Sequence, residues 1–203
     1  MNEEITLWRL HIKPAHKSGS RKDVIDYCID NDIAGIGWPL KHRPASLDDY
    51  TARVGKYHNS KKPASINFAE DIQVNDLIWT RDEKGTYHLG RITGSWFYDN
   101  NPDILKLDIP NQRKCEWVMV GTEDKVPGHV VACFRATRTL QRVLNGKKEG
   151  VALSKWLFNQ KVEQQNKEYK KYEDPLANLH ESLEHAEKFF AMIGSDDCED
   201  IVG

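Results

Sequence analysis

Ile5 to Ile12 alternates loosely, with Thr6, Trp8, Leu10 and Ile12 on one side and Ile5, Leu7 and Arg9 on the other, which predicts a strand. Pro14 and Ser18-Gly19 end it. Ser20 with Asp23 three residues on has capping spacing, and Val24, Ile25, Tyr27, Cys28 and Ile29 continue as a helical stripe to Asn31-Asp32. Ile33 to Trp38 is a short apolar run with two glycines, suited to a buried strand that Pro39 stops. Ser46 with Asp49 repeats the capping signal ahead of Tyr50, Val54 and Tyr57, and Ala64 to Ile72 predicts a further short helix. Leu77 to Thr80, the polar turn through Gly85, and Thr86 to Thr93 predict a hairpin. Asn100 to Gln112, with two prolines, reads as a loop, and Cys115 to Val120 and His129 to Phe134 as the last strands. From Thr139 the pattern turns helical through Leu140, Val143 and Leu144. Asn159 to Glu173 is a solvated helix or linker, and Leu176, Leu179, Leu183, Ala186, Phe189, Phe190 and Ile193 form an amphipathic stripe.

At 203 residues and 39% hydrophobic content the chain can bury a core. No run approaches the roughly 18 apolar residues of a membrane span, and the acidic start Met1-Asn2-Glu3-Glu4 is unlike a signal peptide, so a soluble cytoplasmic protein is expected. Cys28, Cys115, Cys133 and Cys198 lie far apart with no zinc spacing, which predicts free thiols and no metal or cofactor. The net charge of -2 is uneven: residues 1–150 hold 23 Lys and Arg against 20 Asp and Glu, whereas 151–203 hold 6 against 11. A phosphate-facing surface would therefore draw on the first part.

Aromatic residues beside glycines suggest flat faces for a planar ligand, with Trp38, Trp79, Trp96 and Tyr98 as the candidate cage and Trp117, between strand residues, as core. The order strand, helix, Gly35-Ile36-Gly37-Trp38, two short helices, Asp76-Leu77-Ile78-Trp79, Leu89-Gly90-Arg91-Ile92-Thr93-Gly94, Glu116-Trp117-Val118 and Val126-Pro127-Gly128 resembles the PUA-like superfamily. Within it the chain is similar to EVE and YTH readers of modified nucleotides and to the N-terminal modules of Mrr-type restriction endonucleases. The resemblance spans about Trp8 to Phe134. It implies an α+β fold, a small curled mixed barrel of about six strands flanked by helices and followed by a C-terminal helical segment. Trp38 matches the cage tryptophan that ends the second strand, with Trp79 or Trp96 opposite. Asp76 matches the acidic residue of a Gly-Asp turn, and Asn75, in place of glycine, tolerates the same left-handed conformation.

The expected organisation is a recognition domain over 1–145 and a helical linker over 146–203. Cys198 to Gly203 resembles the opening helix of a nuclease domain, so the chain is expected to be the front part of a longer protein. Lys13, Lys17, Arg21, Lys41, Arg43, Arg113 and Lys114 are the candidate phosphate contacts. Arg135, Arg138 and Arg142 have the spacing of a solvated helix face. No nucleophile setting or phosphate loop is present, so this chain is expected to bind rather than catalyse. The first functional expectation is a module that flips a modified base, such as methylated or hydroxymethylated cytosine, out of duplex DNA in a modification-dependent restriction protein. The alternatives are a YTH-like reader of modified RNA and a protein-interaction module that dimerises through its C-terminal helix.

Overall fold

In the computed structural model, which describes residues 5–12, 20–143, 147–173, 183–185 and 187, the first alternating stretch is strand β1 (Leu7–Leu10). Ser20 caps α1 (Arg21–Asp30), its hydroxyl accepting from the Asp23 N–H at 3.1 Å, and Val24, Ile25 and Cys28 bury the inner face. β2 (Ile33–Ile36) follows. Ser46 caps α2 (Leu47–Tyr57) in the same way, and Pro63 opens α3 (Ala64–Glu70). The hairpin of β3 (Leu77–Arg81) and β4 (Tyr87–Tyr98) turns at Gly85, whose φ of 89° is a conformation that side chains resist. Then come α4 (Pro102–Lys106), β5 (Asn111–Gly121), α5 (Gly128–Cys133), β6 (Leu140–Arg142) and α6 (Lys147–Glu173).

The architecture is α+β, one six-stranded mixed sheet in the order β2-β5-β4-β3-β1-β6, flanked by helices. Only β1 and β3 run parallel; the other neighbours are antiparallel. The sheet is open, with β2 and β6 as its edges, so the closed barrel implied by the resemblance does not form. On one face Trp8, Leu10, Ile78, Ile92, Cys115 and Trp117 pack with Val24, Ile25 and Cys28 of α1 and Phe68 of α3. Gly90 is required for that packing: a Cβ there would lie 2.4 Å from Cys115 Sγ and 2.8 Å from the Trp117 ring. Trp117 is core as expected, its indole N–H donating to the Ile33 carbonyl at 2.8 Å.

Three elements differ from the sequence reading. His129 to Phe134 lies in and just beyond the short helix α5 rather than in a strand, because Pro127 fixes a helix-starting φ and the Val130 and Val131 amides bond back to its carbonyl. Leu140 to Arg142 is a strand rather than a helix, recruited by pairing with β1. The supposed loop 100–112 holds α4, capped by Asn101, and the first residues of β5. The chain divides into two compact units, Met1–Lys161 and Val162–Gly203. Glu163 to Glu168 of α6 is solvent-exposed. Of the expected C-terminal apolar stripe only Leu183 falls among the described residues, and it is exposed; the segment from Cys198 lies outside them. Among the described residues no helix is long and apolar enough to cross a membrane.

Candidate functional site

The site begins with a turn. Asn75 takes the left-handed φ of 75° that its identity permits, and this brings the Asp76 carboxylate under β1. Asp76 is buried and accepts from the Thr6 N–H (2.8 Å), the Trp8 indole N–H (2.9 Å) and the Gln73 N–H (3.0 Å). Trp8 is thereby locked in the sheet, with the Arg142 guanidinium 4.9 Å from its ring centroid.

Trp38 stands at φ 64°, a conformation that costs a non-glycine residue about 1–2 kcal/mol. Four consecutive residues are tied down around it. Asn111 Nδ2 donates to the Gly37 carbonyl at 2.5 Å and to the Tyr50 hydroxyl at 2.9 Å. That hydroxyl lies 3.1 Å from the Trp38 carbonyl and 2.6 Å from Ser65 Oγ; burial pushes the Tyr50 phenol pKa up, so it remains a proton donor at neutral pH. A ring nitrogen of His58 is 2.7 Å from the Pro39 carbonyl, and the Leu40 N–H donates to the Tyr98 hydroxyl at 2.7 Å. The strained backbone is over-determined by its surroundings, while the Trp38 side chain stays only half-buried.

That side chain lines an open cleft of about 870 Å³. The cleft runs between Trp38, the approach to α3 with Lys62, Asn67 and Asp71, and the edge segment that carries Arg138, Leu140 and Arg142. Its walls are anchored from behind by two buried cations. Arg9, fully buried, donates to the Arg138 carbonyl and to Gln141 Oε1 (2.8 Å), and burial lowers its pKa to about 10. Arg113, also buried, donates to the Phe68, Ala69 and Gly94 carbonyls at 3.1, 2.7 and 3.2 Å and so holds the end of α3.

These contacts decide where each candidate residue stands. Trp38 faces the cleft. Trp96 and Tyr98 stand behind it: Trp96 donates to Asn111 Oδ1 at 3.2 Å and packs on Tyr50 at 5.5 Å, and Tyr98 is buried with its hydroxyl on Leu40. Trp79 is a correction. It shares the opposite sheet face with Arg9, is fully buried, and donates to Ser154 Oγ of α6 at 3.1 Å, so it is core and not a cage wall. Among the phosphate candidates Arg113 is likewise corrected to a buried clamp, and Arg21 is engaged with the Ile12 and Arg81 carbonyls at 3.3 and 2.6 Å. Lys41, Arg43 and Lys114 are exposed, while Lys13 and Lys17 lie outside the described residues. Lys62 belongs to the basic loop pair Lys61-Lys62 expected beside the cage, whereas Arg138 and Arg142, expected on a solvated helix face, and Asn67 line the cleft without a sequence signal. The Gly37-Trp38-Pro39 signal marked one wall only; the opposite wall is non-local.

Fold and cleft together define an α+β module built around one mixed sheet, with a half-buried indole on a pinned backbone lining a groove that also carries Lys62, Arg138 and Arg142. The chain belongs to the family described as "Domain of unknown function (DUF8426)", whose model matches residues 8–140. No curated protein sequence matches it. Among solved structures it is similar to the Pho92 YTH domain in complex with m6A, at 9% identity and a TM-score of 0.41, covering 77% of this chain and 88% of that one. It is also similar to the YTH domain of the Zygosaccharomyces rouxii MRB1 protein in complex with N6-methyladenosine RNA, at 9% identity and a TM-score of 0.37, covering 77% and 86%. Both superpositions are loose and carry no information about ligand.

Proposed function

We propose that this chain is a nucleic-acid reader that stacks one modified base, presented by a single strand, on the indole of Trp38. The observation that carries the proposal is the strained backbone of Trp38, held by Tyr50, Asn111 and His58 while its ring lines a cleft with Lys62, Arg138 and Arg142. Base stacking on an aromatic face contributes about 1–3 kcal/mol. Pro63, Ala64 and Leu140 supply apolar wall for a methyl group, worth about 0.8 kcal/mol or roughly a fourfold preference if fully buried. Asn67 offers both a donor and an acceptor to a base edge.

A single strand, RNA in the first instance, suits this charge inventory better than duplex DNA. Arg21 and Arg113 are engaged by backbone carbonyls, and among the described residues the cleft lining holds three cations, Lys62, Arg138 and Arg142. Duplex binders commonly neutralise some 6–10 phosphates, whereas unpaired RNA bases are read by stacking on aromatic rings and arginine planes. The test is fluorescence anisotropy on matched single-stranded RNAs with and without a methylated adenine or cytosine, beside a methylated DNA duplex. The expected result is a fourfold or greater preference for one modified single strand, with log K against log salt sloping at about -1.4 to -2. Equal binding of modified and plain strands removes the reader assignment, and tighter duplex binding restores the DNA alternative. No binding leaves a protein-interaction module.

A further inference from the structure

Resting on the stacking role of Trp38, we infer that the cleft selects neutral modified bases and rejects modified bases that carry a fixed positive charge. The charge inventory leads there. Lys62, Arg138 and Arg142 line the cleft against one carboxylate, Asp71, and that carboxylate already faces Arg142 at 3.7 Å. A cationic base therefore meets an excess of positive charge, with no unengaged carboxylate among the described residues of the lining.

The aromatic arrangement argues the same way. Recognition of a cation by aromatic faces needs rings whose negative faces are open to it. Of the two indoles in the cleft, Trp8 already has the Arg142 guanidinium over its ring, and it cannot turn away because its N–H is fixed by Asp76. Among the described residues that line the cleft the aromatic ones are Trp8 and Trp38, so Trp38 is the indole whose face is not already taken by a guanidinium. The backbone carrying Arg138 is pinned by the buried Arg9, and Asp71 stands at the end of α3, whose carbonyls are held by Arg113. The same positive charge that excludes a cationic base favours the phosphates flanking a neutral one.

N6-methyladenine and N1-methyladenine are isomers of equal size, the first neutral and the second positively charged at neutral pH. Short single-stranded RNAs differing only in that one base are titrated with the full chain at low and high salt. The N6-methyl strand should bind at least about tenfold more tightly at low salt, and the gap should shrink as salt screens it. A Lys62→Glu/Arg138→Glu double variant should lose most of that gap; both side chains are exposed, so its thermal midpoint should match the parent. Equal affinities, a gap indifferent to salt, or a gap unchanged in the double variant overturns charge selection while leaving stacking on Trp38 intact. Failure of both RNAs to bind overturns the stacking role and charge selection with it.

Discussion

Trp38→Ala and Trp38→Gly are both expected to weaken binding of a modified single strand by about one to two orders of magnitude, the value of a lost base–indole stack. Their stabilities should differ. Alanine keeps the penalty of the left-handed backbone at φ 64°, whereas glycine relieves it, so the glycine variant should be more stable than the alanine variant by about 1 kcal/mol. This comparison separates the two roles of the position, because both variants lack the ring and only the backbone preference changes. A residue kept in a costly conformation while a cheaper one is available is spending stability on function. Equal binding by wild type and both variants would place the ligand elsewhere, and equal stability of the two variants would mean that the loop is not strained.

Asp76→Ala is expected to be the most destabilising single change in the site, at about 3–5 kcal/mol. The carboxylate is buried and accepts three hydrogen bonds, from Thr6, Trp8 and Gln73, and it also supplies favourable charge to the buried Arg113. Removing it orphans the buried Trp8 indole N–H and the half-buried Thr6 amide, frees the Gln73 amide, and loosens Trp8 beneath the cleft. Urea unfolding monitored by circular dichroism measures the effect as a fall in midpoint with an unchanged slope. A loss under about 1 kcal/mol would show that the turn at Asn75 does not depend on this carboxylate.

Much of the fold was legible because its signals are local. The Ser20–Asp23 and Ser46–Asp49 pairs start helices at the residues they mark, Gly85 turns the hairpin, and Asn75 adopts the left-handed conformation inferred from its identity. What was missed is set by partners distant in sequence. Leu140 and Val143 have helical spacing, yet the segment becomes a strand because β1 offers an edge to it. The β-branched run at Val130 and Val131 looks like a strand until Pro127 and the chain reversal around it are taken into account. Trp79 alternates properly, but alternation cannot tell which face a helix 75 residues later will cover. Arg113 reads as a surface cation, and only the carbonyls at the end of α3 explain its burial. The cleft was therefore half legible: Trp38 stands out from its glycine and proline neighbours, while Lys62, Asn67, Arg138 and Arg142 reach it through tertiary structure.

The claim that Trp38 receives the base is tested most directly by fluorine NMR of the chain labelled with 5-fluorotryptophan, whose six indoles are assigned by substitution. On titration with a modified single-stranded RNA the Trp38 resonance should shift most, Trp8 less, and the buried Trp79 and Trp117 should stay still. A shift confined to the exposed Trp156 on α6, or movement of Trp79 with Trp38 unchanged, would contradict the account.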